Sequence, residues 1–473
     1  MVKSLFWWLT ATLFLFRGVL GLEEFTVPQV WENIKYDRSV DLSRVYTREK
    51  LEIKVKNVGK ELTKEYYLVY PIDIINKVAL ISALGEGEGD SQFLDASIIK
   101  NSTSLEGNVI VGYAKIVFSS PVGPGEEFSF LVSVEYNEGG VPYPEHINLR
   151  DEQYLLIKTN RLPLSAYTTK DSTLTFVGST SFSELHAPDN EHLQGTIEEN
   201  SITFGPFKNA TALDITNEVK IVYLHNVPLN KVVNLKRDIW VSHWAATLQF
   251  EEYYELLNQA AKLVKGFSRL EHMTQQLDTL VGHYRGIIDS VLPSGASDHY
   301  YTDLVGMVST SQVKNDHFYL KPRYPIYGGW KYNYTIGWTN QLSDFLHISN
   351  SSDSYILSVP ILNGPLDTAY DNAEVSIFLP EGAVVEEVDS PLPFKTVEIS
   401  NKNSYFDLNK GHVKVTFTFE NLIDELSSGR ILIKYDFNAT AFYKKPLSIA
   451  CYLFIALMSI FLLNHINLKI DDK

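Results

Sequence analysis

Cysteine is almost missing from this chain of 473 residues, because Cys451 is its only cysteine. Cys451 lies in an apolar run near the C-terminus, so the rest of the chain holds no thiol. Disulfides, thiol catalysis and cysteine-ligated zinc are therefore excluded from the main body. Its domains must be stabilised by the burial of other side chains.

Basic charge is also in deficit. The chain has 41 Lys and Arg against 57 Asp and Glu, which gives a net charge of −16. This balance argues against nucleic acid as a partner and against docking onto an anionic membrane surface. The hydrophobic content of 45% is sufficient for apolar cores, and the length suits two or three domains.

Catalytic motifs are a third absence, since the sequence contains no HExxH, GxSxG or DxD. Two Asp-His neighbours occur, Asp298-His299 and Asp316-His317. Neighbours on a strand point to opposite faces, so neither pair forms a natural dyad. We interpret both pairs as structural or surface residues.

One more group of acidic and histidine side chains lies close together, namely His243, Glu251 and Glu252. The sequence around them favours a helix, and spacings of eight and nine are poor for shared ligation on a helix. We therefore assign no catalytic, cofactor-binding or metal-ligating residue, and we expect no cofactor.

The N-terminus is typical of a cleavable signal peptide. Lys3 precedes a short apolar run over residues 5–16, and small residues follow at Val19 and Gly21. We predict a signal peptide over residues 1–21, cleaved after Gly21, which sends the following body across the membrane first.

The second apolar run, residues 447–463, has no charge and no proline. As a helix it would be ~25 Å long, enough for a thin bilayer such as that of the endoplasmic reticulum. We predict a single-pass type I protein with a cytosolic tail at residues 464–473. Cys451, Tyr452 and Ser459 are candidates for helix–helix contacts, since small and polar residues favour close packing in lipid.

Five Asn-x-Ser/Thr tripeptides occur, and in a translocated chain they are glycosylation candidates. Asn438 is the least favourable because it lies so close to the predicted membrane helix. The five asparagines are Asn101, Asn209, Asn333, Asn350 and Asn438.

The body is predicted to be mainly β. Segments such as residues 51–56, 128–136, 219–224, 412–419 and 430–435 alternate apolar and polar side chains between turn residues. This pattern favours two tandem antiparallel β-sandwich-like lumenal domains, at residues 22–235 and 290–437.

Between the two β domains we predict a helical connecting segment at residues 236–289. Helix formers run from Ala245 to Val264 with apolar residues at helical spacing, Gly266 is a plausible stop, and a second helix is expected over residues 269–289. Residues 438–446 are expected to form a short stalk.

An aromatic run spans residues 330–338, and exposed aromatic side chains could stack on sugars. On a strand, Trp330, Tyr332, Tyr334, Ile336 and Trp338 would share one face. The opposite face would carry the glycosylation candidate and must be wet. We therefore favour core packing of the aromatic face over a sugar platform.

Several segments resemble the ribophorin I family, a subunit of the oligosaccharyltransferase complex of the endoplasmic reticulum, and are most similar to yeast-type members. They follow one another in order through nearly the whole lumenal body. The matching segments are residues 31–42, 159–167, 237–244, 265–269, 303–311, 322–330, 378–383 and 389–391.

The resemblance implies a non-catalytic subunit of the complex that transfers an oligosaccharide from dolichyl pyrophosphate to Asn-X-Ser/Thr of nascent polypeptides. It implies the other membrane subunits, including the catalytic one, as partners, with the nascent polypeptide and the protein translocation channel beside them. Our hypothesis is a structural and acceptor-guiding role. Animal members carry a substantial cytosolic domain after the membrane helix, and the short tail here departs from that pattern.

Two other functions remain open when only the residues are considered and the family resemblance is set aside. A lumenal peptidase or glycosidase would need a catalytic constellation, and none is legible. A lumenal glycan-binding receptor or chaperone would act outside such a complex.

Overall fold

The computed structural model describes residues 26–86, 91–105, 109–188, 190–275, 282–349, 354–404, 407 and 411–465. The predicted signal peptide and residues 466–473 of the predicted tail lie outside the described residues. Strands hold 57% and helices 11% of the described residues, which confirms the mainly β fold class.

The first half of the described chain forms strands β1 to β15, the short helix α1 (Ile72–Ile75) and a 3₁₀ turn (Glu191–Leu193). The strands are β1 (Trp31–Asp41), β2 (Thr47–Asn57), β3 (Thr63–Pro71), β4 (Val78–Glu86), β5 (Ser91–Ser104), β6 (Ile110–Val122), β7 (Glu127–Tyr136), β8 (Val141–Pro142), β9 (His146–Ile147), β10 (Tyr154–Asn160), β11 (Thr169–Val177), β12 (Phe182–Glu184), β13 (Thr196–Glu198), β14 (Ser201–Ala210) and β15 (Glu218–Leu224).

The second half forms strands β16 to β31, helices α2 (Arg269–Gln275) and α3 (Ala439–His465), and 3₁₀ turns at Leu342–Asp344 and Asp424–Ser428. The strands are β16 (Asn230–Ser242), β17 (Thr247–Asn258), β18 (Lys262–Leu263), β19 (Ile288–Val291), β20 (Ser297–Asp303), β21 (Gly306–Met307), β22 (Ser311–Lys314), β23 (His317–Leu320), β24 (Lys331–Gln341), β25 (Leu346–Ile348), β26 (Ser354–Pro360), β27 (Thr368–Leu379), β28 (Val384–Asp389), β29 (Thr396–Lys402), β30 (His412–Ile423) and β31 (Arg430–Asp436).

The two halves repeat one topology. In the first domain the large sheet has the order β13-β14-β11-β1-β2-β7-β4-β5-β6-β3, and a small sheet has the order β12-β15-β10-β8. In the second domain the large sheet has the order β29-β30-β27-β16-β17-β24-β20-β21, and the small sheet has the order β28-β31-β26-β25. Strand by strand, β14-β11-β1-β2-β7 corresponds to β30-β27-β16-β17-β24, and β15-β10 corresponds to β31-β26.

Details of the strand pairing repeat as well. β1 pairs in parallel with β11, and β16 pairs in parallel with β27, so the sheets are mixed rather than purely antiparallel as predicted. A parallel neighbour requires a long crossover, and more than a hundred residues separate each of these pairs. The change from one repeat to the next falls between Leu224 and Asn230, so the predicted boundary at residue 235 lies inside β16.

Period-two burial explains why these segments are strands. In β2, Leu51, Ile53 and Val55 are all at most 2% exposed, whereas the residues between them face solvent more. The same alternation holds in β15 and β31, as the sequence predicts. Branched and aromatic side chains on one face are thus buried between sheets while polar ones stay outside.

The predicted helix from Ala245 to Val264 is wrong, because this segment contains β17 and β18. β17 lies between β16 and β24 in the large sheet and pairs with both along nearly its whole length. Burial of Leu248, Phe250 and Tyr254 on one face outweighs the helical propensity of the Glu and Leu residues.

The second predicted helix, residues 269–289, is only partly correct. α2 covers Arg269–Gln275, residues 276–281 lie outside the described part of the chain, and β19 begins at Ile288. The connecting segment at residues 236–289 is therefore mostly strand and loop in its described portion.

The two domains share one apolar core. The larger cluster of buried side chains includes Val40 and Phe176 of the first domain together with Ile239, Ile377 and Ile433 of the second. A second cluster belongs to the first domain alone and is centred on β2, β3, β6 and β7. Parallel pairing of β9 with β18 also joins the domains, so they are packed against each other rather than linked loosely.

α3 is the one described helix that is long and apolar enough to cross a membrane, and none of its residues is buried. It contains the predicted span at residues 447–463. The predicted stalk is wrong as a separate segment, because the helix already begins at Ala439 and Pro446 lies inside it.

Candidate functional site

An open cleft of about 620 Å³ separates the two layers of the first domain. Its walls include the end of β3 at Val69 and Tyr70, the strand β10, and the inward face of β1 and β2 at Arg38 and Glu49. β3 is the terminal strand of the large sheet, and β10 belongs to the small sheet. The cleft therefore lies between the edge strand β3 of the large sheet and the strand β10 of the small sheet.

Arg38 and Glu49 are placed in the cleft by strand alternation. Tyr36, Arg38 and Val40 point inward from β1, and Glu49 points inward from β2 between the buried Thr47 and Leu51. Arg38 pairs with Leu51 across the two strands, so Glu49 is its diagonal neighbour on the same face. The two side chains consequently meet as an ion pair through Arg38 Nε and Glu49 Oε1.

The Arg38 guanidinium also joins the two layers. Its Nη1 donates to the carbonyl oxygen of Asn160 at 3.2 Å, and its Nη2 donates to Thr159 Oγ1 at 2.9 Å. Although burial opposes its charge, the Glu49 carboxylate raises the pKa of Arg38 above its ordinary value. Arg38 therefore stays charged and is neutralised locally by Glu49.

Three buried polar atoms of residues that line this cleft have no partner among the described residues. They are Asn160 Oδ1 together with Glu49 Oε2 and Tyr70 Oη, the last two on side chains that are 2% and 7% exposed. Burial raises the pKa of Tyr70 well above 10, and the Glu49 charge adds to this rise. The wall of the cleft thus holds an unpaired carboxylate oxygen, an unpaired amide oxygen and a neutral hydroxyl, and an unpaired buried polar group is costly.

The second domain has a corresponding Arg–Glu ion pair, and this pair is fully buried. Arg38 is the eighth residue of β1, and Arg237 is the eighth residue of β16. Arg237 pairs with Glu252, and both side chains are fully buried. Tyr254 Oη donates to the other carboxylate oxygen of Glu252 at 2.5 Å, and Asn363 accepts from the guanidinium. Both oxygens of Glu252 are therefore bonded within the protein.

A second feature of functional interest is the junction between the second domain and α3. Trp244 stacks on Phe442 with ring centroids 4.4 Å apart, and its Nε1 donates to the Phe442 carbonyl oxygen. Lys445 Nζ donates to the buried carboxylate of Asp407 at 2.6 Å, and His412 lies 3.6 Å from the same oxygen. The start of α3 is thus fixed to the β domain.

The Asp-His neighbours do not form dyads, as the sequence predicts. Asp298 is exposed and has a positive φ, while Asp316 accepts a hydrogen bond from Ser294 Oγ at 2.6 Å. His317 Nδ1 instead lies 3.0 Å from Asp289 on the neighbouring strand β19. Strand pairing makes this contact, and the sequence gives no signal for it.

His243, Glu251 and Glu252 lie on β16–β17 and the turn between them rather than on a helix, which corrects the prediction. Each has its own partner: His243 Nε2 lies 2.7 Å from Tyr435 Oη, Glu251 accepts from Tyr300 Oη, and Glu252 is held by Arg237. Within the described ranges there is no group of three or more His, Cys, Asp or Glu residues suited to a metal ion.

The aromatic run forms core, which confirms the prediction for β24. Tyr332, Tyr334, Ile336 and Trp338 are each at most 3% exposed. Trp330 is the exception, because it lies before the strand begins at Lys331 and is only half-buried.

The glycosylation candidates differ in surroundings, and their modification stays a prediction. Asn209 is exposed on β14, whereas Asn333 is half-buried and donates to Tyr253 Oη at 3.0 Å. Asn438 is exposed and accepts from the Ala441 N–H at 2.9 Å at the start of α3. Asn350 and the side chain of Asn101 lie outside what the structure describes.

Matches with a known family and with known proteins cover nearly the whole chain. The Ribophorin I family matches residues 31–464. A dolichyl-diphosphooligosaccharide–protein glycosyltransferase subunit 1B of Arabidopsis thaliana is 26% identical over 464 residues, covering 96% of this chain and 97% of its own. Subunit 1 of Schizosaccharomyces pombe is 26% identical and covers 92% and 95%, and subunit 1 of Caenorhabditis elegans is 23% identical and covers 93% and 73%.

Among solved structures, an M1 zinc metallopeptidase of Deinococcus radiodurans covers 43% of this chain and 42% of its own, with 9% identity and a TM-score of 0.24. A likeness of that size carries no argument about this chain.

Proposed function

Because the chain belongs to the ribophorin I family, we propose that it is a subunit of a dolichyl-diphosphooligosaccharide–protein glycosyltransferase complex and acts in protein N-glycosylation. The match over residues 31–464 carries this proposal, since it includes both β domains and most of α3. Relatives with that printed name align along at least 92% of this chain.

We propose further that the subunit is non-catalytic and that its role is structural and acceptor-guiding. The distribution of polar groups supports this role. Asp316 and His317 contact other residues rather than each other, and the buried Arg–Glu pair of the second domain is closed to solvent. The chemistry would then belong to another subunit of the complex.

The proposed location is the endoplasmic reticulum membrane, with α3 as the single span and both β domains in the lumen. α3 has 27 residues and would be ~40 Å long at ~1.5 Å per residue. Trp244 of the second domain stacks on Phe442 in the first turn of α3, and Lys445 of α3 pairs with Asp407. These contacts support a second domain held close to the membrane surface.

The proposed partners are the other membrane subunits, including the catalytic one, together with the nascent polypeptide and the translocation channel. A helix without a buried residue supports the first of these, since it offers surface to other membrane helices.

Affinity purification in mild detergent tests the proposal directly. We expect a tagged chain to bring down membrane partners in stoichiometric amounts, and the purified assembly to transfer oligosaccharide to an Asn-X-Thr peptide. The isolated chain should bind partners on reconstitution but show no transfer. Transfer by the isolated chain would contradict the non-catalytic role, and migration alone would favour a free glycan-binding receptor or chaperone.

A further inference from the structure

The main-chain edge of β10 is open at the cleft. β8 pairs with β10 only at Leu155 and Leu156, and no other described strand occupies that side of β10. The carbonyl oxygens of Tyr154 and Asn160 point to this side, because they accept from Tyr143 N–H and from Arg38. By strand alternation Lys158, two residues before Asn160, presents its N–H and C=O to the same side.

The pairing of β10 with β15 gives independent support for this orientation. Lys158 lies opposite Lys220, whose carbonyl oxygen accepts from Leu185 N–H on the far side of β15. Lys158 and Lys220 therefore form a pair that exchanges no main-chain hydrogen bond. The Lys158 N–H and C=O face the cleft, which Lys158 itself lines.

The second domain closes the same edge. Lys158 is the fifth residue of β10, and the fifth residue of β26 is Ser358, whose N–H donates to the Phe345 carbonyl oxygen at 2.8 Å. In the second repeat, the main-chain edge of β26 and the second carboxylate oxygen of Glu252 are thus both hydrogen-bonded within the protein. In the first repeat the main-chain edge is open and Glu49 Oε2 is buried without a partner, and both belong to residues that line one cleft.

We propose that this cleft binds an extended polypeptide segment, which adds as a strand to the edge of β10 between β3 and β10. Its backbone would pair with Lys158 N–H and C=O, and a donor on the segment would reach Glu49 Oε2 and Tyr70 Oη. Apolar side chains of the segment would pack against aliphatic walls such as Val69, Ile157 and Leu164. Backbone pairing gives affinity without reading sequence, which suits a surface for unfolded chain.

Identification of this segment with the acceptor polypeptide rests on the proposed function, whereas binding of an extended peptide does not. A glycan is the competing occupant, because tyrosines and an Arg–Glu pair also suit sugars. The open strand edge favours polypeptide, because its regularly spaced N–H and C=O groups match the backbone of an extended chain, and the apolar wall residues offer contacts for apolar side chains.

The first test measures peptide binding to the full chain purified in detergent. The probe is a fluorescein-labelled nine-residue peptide that alternates valine with threonine and ends in two lysines, followed by fluorescence anisotropy. Lys158→Pro removes the Lys158 N–H from the open edge of β10 and should weaken binding roughly 5-fold to 10-fold. Lys158→Ala keeps the N–H and should bind as the original does.

A second pair of variants tests the unpaired hydroxyl without disturbing the backbone. Tyr70→Phe should weaken binding roughly 3-fold to 10-fold while leaving the unfolding temperature unchanged or raised, because Tyr70 Oη has no partner in the described protein. Tyr334→Phe is its matched control, since Tyr334 Oη is also buried and unpaired but lies in the second domain. Tyr334→Phe should not change binding.

The proposal is overturned if the original chain does not bind the peptide, if Lys158→Ala weakens binding as much as Lys158→Pro, or if the two Tyr→Phe variants behave alike. It is also overturned if a mannose-rich oligosaccharide binds with dependence on Tyr70 while the peptide does not. If Lys158→Pro fails to fold, the Tyr70→Phe and Tyr334→Phe comparison decides. Partner recovery in mild detergent reports on the proposed function separately, so the two failures are distinguishable.

Discussion

The closed ion pair of the second domain gives a sharp stability prediction. Arg237 and Glu252 are both 0% exposed, and Arg237→Met would remove the cation while keeping a similar side-chain volume. The Glu252 carboxylate would then be buried with only Tyr254 as donor. Breaking a buried pair by removing one partner costs about 3–5 kcal/mol, which corresponds to a decrease in Tm of about 6–20 °C for a domain of this size.

The first domain offers a matched comparison. Arg38→Met removes the corresponding cation, but Arg38 is 14% exposed and the pair borders an open cleft rather than a closed core. We expect a loss of about 1–3 kcal/mol in this case. Replacing both Arg237 and Glu252 by apolar residues should recover most of the stability, because an apolar pair leaves no charge behind.

Thermal unfolding of the detergent-purified chain, followed by tryptophan fluorescence at one fixed scan rate, measures these differences. Lys50→Met serves as the control, since Lys50 and Glu52 form an exposed pair that contributes about 1 kcal/mol or less. The reasoning is refuted if Arg237→Met unfolds within a few degrees of Lys50→Met. It is refuted equally if the double variant is no more stable than Arg237→Met.

Three further predictions concern acid stability and α3. Burial lowers the pKa of His283 to about 4 from 6.5, so the unfolded chain binds more protons between these values and stability falls as the pH decreases from about 6.5 to 4. His283→Phe should reduce the loss of unfolding free energy between pH 7 and pH 5 by about 2 kcal/mol, measured as Tm at the two pH values, and an unchanged loss would contradict it. Asp407→Asn breaks the pair with Lys445 and should speed proteolytic cleavage before α3, whereas Glu52→Gln should not. Replacing residues 447–463 by an unrelated apolar helix should reduce partner recovery; unchanged recovery would make the segment a plain anchor.

Period-two burial made much of the fold readable from the sequence. Leu51, Ile53 and Val55 alternate with charged residues, and the aromatic residues of β24 alternate with polar ones. In both strands one face is buried and the other is wetter, so the pattern and the environment agree. The apolar run within α3 was readable for a different reason, because an uncharged apolar segment of this length is typical of a membrane-spanning helix.

β17 shows why the remainder was not readable. Its buried face consists of Leu248, Phe250, Glu252, Tyr254 and Leu256, and the glutamate in the middle interrupts the alternation. Glu252 is tolerated inside only because Arg237, on another strand, neutralises it. Local sequence does not show that partner, so helical propensity gives the stronger signal.

The cleft was missed for a related reason. Arg38 and Glu49 are ordinary charged residues in two strands, and only their inward positions make them unusual. Inward positions could have been inferred from Tyr36 and Val40 on the same face of β1. The open edge of β10 depends on where β8 ends in space, which strand patterns do not encode.

The core shared by the two repeats has a consequence for the order of folding. Val40 and Phe176 lie in the same apolar cluster as Ile239 and Ile433, so the first repeat cannot finish its packing from its own residues. A chain made from its N-terminus would therefore hold the self-contained cluster around Ile53 early, while the other apolar surface waits for more than two hundred later residues. During that interval the exposed apolar surface makes the growing chain prone to aggregation, even though the finished protein forms one continuous body.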